Sequence, residues 1–465
     1  MPRSLTVMMW SKKLRNSGQV LLRGSALFLL ISLLWTASAR GTCSQTGAPL
    51  ASFDVIHYDL RLEPDIVTKS VKGRVMIRLV ARAKRLDSVE FDCGDLIIGS
   101  VRERGESQAF NTRDRRLLVT LSRPAREGDR REIEVQYHGA PRQGLRFFPD
   151  QQQIYTVFST SHWMVCVDAP HDRATLRMRL VLPASLQVAA NVHNAGRRLL
   201  KDGKVAHEWS QQIPVPTYTF GFAAGRFREI TDRSGRTRLR HLSAQFSDDE
   251  LRRIFRDTSN MIRYFEERAG VRYAEESYTQ VLAAGSVAQE MSGFSVMGVS
   301  YGRGVLANES DVWLGAHELA HQWWGNMVTC RDWTHFWLNE GMATFMAAAF
   351  KGDRFGKDEY LREIALFRAR YERVRDAGKD RSLVFPDWSN PTTEDRVLVY
   401  FKGAYVLHLL REEMGDGPFW AAIRSYTRAF WGKSVTTIDF QRAMETSSGK
   451  DLSDFFAKWV YLTKQ

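Results

Sequence analysis

The chain has 465 residues, 44% of them apolar and 26% charged, and a formal charge of +13. That length supports two or three domains with cores of their own, and the composition excludes a disordered tail. The basic excess does not point to nucleic acid: five of the Lys and Arg residues lie before position 40, and only a mildly basic surface without long basic blocks follows.

The N-terminus carries Arg3, Lys12, Lys13, Arg15 and Arg23 and no acid. An apolar run follows from Ala26 to Trp35, then small residues at Ala37 and Ala39. This order predicts a signal peptide over 1–39 and an exported, periplasmic or extracellular protein. The run is short for a bilayer span. The long basic lead leaves two alternatives open: an internal start at Met8 or Met9, and an uncut segment that anchors the chain to the membrane. Cys43 lacks the apolar lead of a lipoprotein cysteine. The four cysteines (Cys43, Cys93, Cys166, Cys330) form no CxxC pair, which argues against a cysteine zinc site. Cys93 and Cys166 are open to two readings, an exported disulfide or two buried thiols.

From about 53 to 230 the chain alternates with period two. Val75, Ile77 and Leu79, then Ile133, Val135 and Tyr137, then Leu176, Met178, Leu180 and Leu182 each mark one face of a strand. An antiparallel β-domain, sandwich or saddle, is expected over 50–237. The period changes at Ser247-Asp248-Asp249-Glu250, a capping box. One apolar face follows on Leu251, Ile254, Phe255, Met261, Ile262 and Phe265, as in a helix. A mostly helical domain is expected over 238–465, so the fold class is α+β.

Within that second half, His317 and His321 are four residues apart and share a helix face. Glu318 points about 100° away from His317, beside an ion held by the histidines. That suits a base acting on water at a metal. Glu340 falls 19 residues after His321 on a second apolar helix, where a carboxylate is costly without a partner. His317, His321 and Glu340 make the two-histidine, one-carboxylate set of thermolysin-like zinc sites, with one position left for water or substrate.

HELAHQWWGN followed by WLNEG resembles the gluzincin aminopeptidases, peptidase family M1, the membrane alanyl aminopeptidase group. FDVIHYDLRLEPD, VCVDAPHDRATLRMRLVLP and PVPTYTFGFAAGRF resemble its β-domain, and DLSDFFAKWV the end of its catalytic domain. The resemblance implies one catalytic Zn2+ per chain on His317, His321 and Glu340, with Glu318 as general base. It implies that Tyr400, sixty residues after Glu340 and two before Lys402-Gly403, stabilises the oxyanion. The family's Gly-Ala-Met-Glu-Asn strand, whose Glu binds the substrate's α-amine, is matched here by Val287-Ala288-Gln289-Glu290-Met291. Ala288, Gln289 and Glu290 are the implied substrate-binding residues, and only Ala288 and Glu290 agree with the motif. A polar residue of the β-domain is expected near the amine within 155–162, without an assignment. The chain stops at Gln465, where the family often continues into a large helical domain. A more open site, or cover from a partner chain, is the expectation.

The reading is thus an exported zinc aminopeptidase acting on peptides with a free N-terminus. Two alternatives stand beside it. The altered Val287–Met291 stretch allows an endopeptidase or another amine-substrate hydrolase. An exported zinc-binding module without activity is the third, although a purely structural site needs neither Glu318 nor Tyr400.

Overall fold

The computed structural model describes residues 52–385, 388 and 390–462. The expected signal peptide over 1–39 and Cys43 lie outside the described residues.

The β-half is built on an eight-stranded sheet. Phe53–Asp65 and Ser70–Ala81 form its central hairpin. Arg130–Gly139, Ile97–Glu103 and Glu106–Ser107 extend one side; Arg173–Pro183, Lys204–Pro216 and His193–Leu199 extend the other. The alternating residues named above are all buried, as period-two patterning requires. Expectation and structure differ in one respect: Phe53–Asp65 pairs with Arg173–Pro183 in parallel. Alternation within a strand reports which face is buried and carries no information on the direction of a partner far along the chain.

A four-stranded sheet (Gln187–Ala190, Phe222–Gly225, Gln153–Thr156, Leu145–Phe148) lies between that sheet and the second half. Its residues Tyr155, Ala189 and Ala223, with Val157 just beyond it, share a core with Val281, Met291, Phe294 and Val296 of the second half. Met327 from the second half also joins the core of the β-half. A buried Met side chain contributes roughly 1.5–3 kcal/mol. Arg173 adds a polar tie: its guanidinium donates to Asn326 O at 2.9 Å and Thr329 Oγ1 at 2.8 Å.

The second half carries a five-stranded sheet in the order Arg228–Ser234, Thr237–Ser243, Ser277–Ala283, Phe294–Gly298, Gln289–Met291. Residues 228–234 therefore pair with this sheet, across the position 237/238 at which the sequence pattern places the boundary. The capping box at Ser247 forms as expected, with Glu250 N–H donating to Ser247 Oγ and Ser247 N–H to Glu250. The apolar face beyond it is shared by two helices, Asp248–Ile254 and Thr258–Ala269. Between them Phe255 stacks on His241 at 4.4 Å, and buried Asp257 accepts from Arg354 Nε at 2.7 Å. Around Trp337–Phe355, a helix buried from Trp337 through Lys351, pack Trp313–Ala320, Lys357–Asp376 and Gly403–Met414. Among the described residues no helix is long and apolar enough to cross a membrane. Cys93, Cys166 and Cys330 are buried free thiols.

Candidate metal centre and active site

His317 lies in the last turn of Trp313–Ala320, and His321 follows that helix with φ −57° and ψ −24°, still helical. Their rings therefore share a face, and their Nε2 atoms are 3.1 Å apart. Glu340 sits in the first turn of Trp337–Phe355 and places Oε2 at 3.3 Å from each Nε2. Tetrahedral ligands bound at about 2.0–2.1 Å stand roughly 3.4 Å apart, so the spacing fits one zinc ion. Despite that proximity Glu340 Oε2 has no hydrogen bond of good geometry; the three groups converge on a point. They form a metal-ligand cluster, fully buried.

The outer ring nitrogens are held from behind. His321 Nδ1–H donates to Trp324 O at 3.1 Å, and His317 Nδ1 lies 3.4 Å from Thr344 Oγ1. Such partners fix the tautomer and aim Nε2 at the ion. Gly325 makes the turn beneath His321 possible: its φ is +140°, and a Cβ there would lie 2.8 Å from His321 Nδ1.

Protonation follows from burial and proximity. Burial lowers His317 to about 4. Burial also opposes charge on His321, but the carboxylates of Glu340 and Glu290 outweigh it and raise that ring to about 10. Burial alone would raise Glu340; the two imidazoles beside it, His321 foremost, bring it down to about 2. One dication can replace the shared proton, because it compensates the carboxylate and requires both imidazoles neutral.

Glu318 is buried beside the cluster, and its Oε2 has no partner. Burial, then Glu290, pushes its carboxyl well above the usual range. Tyr400 lies on a π-helical turn, Leu398–Lys402, an irregularity frequent at functional sites. Its ring stacks on His317 with centroids 5.9 Å apart. Burial, then Glu340, Glu290 and Glu318, holds its phenol neutral. Two glycines allow this approach. A Cβ on Gly341 would lie 3.0 Å from Gly403 Cα, so the helix of Glu340 and the segment of Tyr400 touch backbone to backbone. Buried Lys402 ties that segment down, donating to Asp380 Oδ1 and Arg381 O, both at 2.8 Å.

Glu290 sits on the edge strand Gln289–Met291, buried, with Oε1 unpartnered. Burial raises its carboxyl to about 7. Gln289 hydrogen-bonds it, and Ala288 packs into the core of the second half. Two sets of contacts fix this strand. From the helical side, Gln322 donates to Met291 O and accepts from Gly293 N–H, each at 2.9 Å. From the β-half, Asn191 Nδ2 donates to Thr219 O and Ser292 O, both at 3.0 Å. Ahead of the strand, Tyr155 donates to Ala284 O at 2.8 Å, and Gln153 Oε1 accepts from Ala284 N–H at 2.8 Å. Within 155–162, then, Tyr155 through its hydroxyl and Phe158 through its backbone N–H reach this region.

The structure thus brings His317, His321, Glu340, Glu318, Tyr400 and Glu290 around one space. Sequence reasoning missed Gln322, Thr344, Asn191 and the Gly341–Gly403 pair. Gln322 had a signal, its place beside His321; Asn191 had none.

The chain is similar to known proteins over most of its length. Residues 255–459 match the peptidase family M1 domain and 55–219 the peptidase M1 N-terminal domain. A probable aminopeptidase 2 of Sulfurisphaera tokodaii is 24% identical over 433 residues, covering 87% of this chain and 53% of its own length. The chain spans about half the length of several curated relatives it matches. Among solved structures, an M1 zinc metallopeptidase from Deinococcus radiodurans superposes with a TM-score of 0.74 at 26% identity, covering 88% of this chain and 94% of that one. A mutant of that enzyme bound to a Tyr-Ser-Ala substrate superposes at 0.75, with 26% identity over 89% and 95% of the two chains.

Proposed function

This chain belongs to peptidase family M1, and we propose that it is a zinc aminopeptidase that removes residues one at a time from peptides with a free N-terminus. The observation that carries this is the convergence of His317, His321 and Glu340 beside a buried carboxylate, Glu290, with one oxygen unspent. The resemblance to a structure that holds a peptide supports the substrate class. The basic, acid-free lead and apolar run before Ala39 support an exported enzyme.

Zinc on those three ligands would supply Lewis acidity to a water and to the scissile carbonyl. Glu318 accepts the water's proton on its free Oε2 and passes it to the leaving amine. Tyr400, neutral because burial and three carboxylates disfavour its anion, donates a hydrogen bond where the oxyanion develops. Glu290 Oε1 takes the substrate ammonium in a charge-assisted contact. A fixed distance between that contact and the ligand cluster admits one residue ahead of the scissile bond.

The test is turnover of an aminoacyl anilide against its N-acetylated form. Cleavage confined to the free amine, with zinc dependence and loss in Glu318→Ala, is the expected result. Equal cleavage of both favours the endopeptidase reading that the altered Val287–Met291 strand motivates. Silence of both wild type and variant across many substrates favours a zinc-binding module.

A further inference from the structure

Gln289 stands where the family motif has methionine, and each end of its amide has a partner. Its Nε2 donates to Glu290 Oε2 at 2.7 Å. Its Oε1 accepts the backbone N–H of Phe158 at 3.0 Å. These partners fix the amide's orientation, since a carboxylate only accepts and an N–H only donates. Gln289 and Glu290 are both buried, 1% and 3% exposed. Phe158 belongs to the β-half, and it and Ser159 have φ of +40° and +43°. Two successive non-glycine residues in that region are held there by their surroundings, a pattern that clusters at functional sites.

We propose that Gln289 is a positioning residue that commits one oxygen of Glu290 and leaves Oε1 alone to receive the substrate's amino terminus. This rests on the reading of Glu290 as the amine anchor. Its Nε2 can only donate, as an ammonium does, and its Oε1 is turned to Phe158 N–H, so Gln289 acts on the amine through Glu290. Because its other end is pinned by Phe158, the β-half sets where the anchor stands relative to the metal ligands. A methionine in its place would fill similar volume and neither donate nor accept strongly. Glu290 would then be free to turn, and substrate binding would require fixing its rotamer.

The test compares wild type with Gln289→Met on an aminoacyl anilide and on its des-amino counterpart. With zinc content and melting temperature unchanged, KM for the free amine should rise about tenfold with kcat little altered, the size of one charge-assisted hydrogen bond. Preference for the free amine over the des-amino compound should fall by the same factor. A folded, zinc-loaded variant with wild-type KM and preference overturns the role of Gln289 alone. A wild type without preference for the free amine overturns the anchor reading beneath it. A structure of wild type with a free amino acid decides the matter without a variant. The amine on Oε1 with Gln289 still on Oε2 is expected; an amine bridging both oxygens with Gln289 displaced refutes the proposal.

Discussion

The metal ligands and the strand of Glu290 differ in how they are held. His317, His321 and Glu340 come from two helices of one half, packed on each other, with Trp324 and Thr344 of the same half behind them. The strand of Glu290 is an edge strand held from both halves: Gln322 on one side, Phe158 at Gln289 and Asn191 at Ser292 on the other, while Gln153 and Tyr155 hold Ala284 ahead of it. The first arrangement is a property of local spacing, the second of domain docking. Chemistry at the metal and selection of the substrate terminus should therefore be separable by mutation.

The largest break is at the ligands. Chelation, or Glu340→Ala, should abolish turnover and bound zinc together, and zinc should restore the chelated wild type only; metal analysis with an activity assay checks this. Next, Glu318→Ala should keep its zinc and lose about 10²–10⁴-fold in kcat. Tyr400→Phe should lose about 10²-fold or more in kcat with KM nearly unchanged, because its hydrogen bond forms in the transition state. Across the interface, Asn191→Ala should leave zinc in place and raise KM roughly three- to tenfold by loosening the Glu290 strand. Should Asn191→Ala lower kcat with KM unchanged, the separation of the two regions fails.

The smallest effect at the site comes from the titration of His241, which lies in the five-stranded sheet and outside the site. Burial holds His241 at about 4, with Asp232 opposing slightly. Its unfolded value is near 6.5, so below that pH the unfolded chain binds the extra proton. The contribution is complete above pH 6.5 and is lost as pH falls towards 4, on the order of 3 kcal/mol in all. Melting temperatures across that window should decline less steeply for His241→Phe than for wild type.

Legibility in the sequence follows the same division. Strand faces such as Val75, Ile77 and Leu79, the cap at Ser247, and the shared face of His317 and His321 were readable because each depends on spacing within a few residues. Glu340 was readable by the cost of burying it alone. The parallel pairing of Phe53–Asp65 with Arg173–Pro183, the membership of 228–234 in the second sheet, and the hold of Asn191 on Ser292 were not. Each joins segments whose local patterns fit several partners. The split of one expected helix at Phe255–Asp257 was hidden for a related reason: Asp257 is held by Arg354, far along the chain.

The bare backbone meeting of Gly341 and Gly403 acts as a thickness gauge between ligand and phenol. Adding a methyl at either position would force that seam apart by a few tenths of an ångström, with rigid main chain on the far side. Gly403→Ala should thus yield a protein that still captures zinc yet turns over slowly, a natural route by which one added atom could convert an enzyme of this architecture into a mere metal carrier.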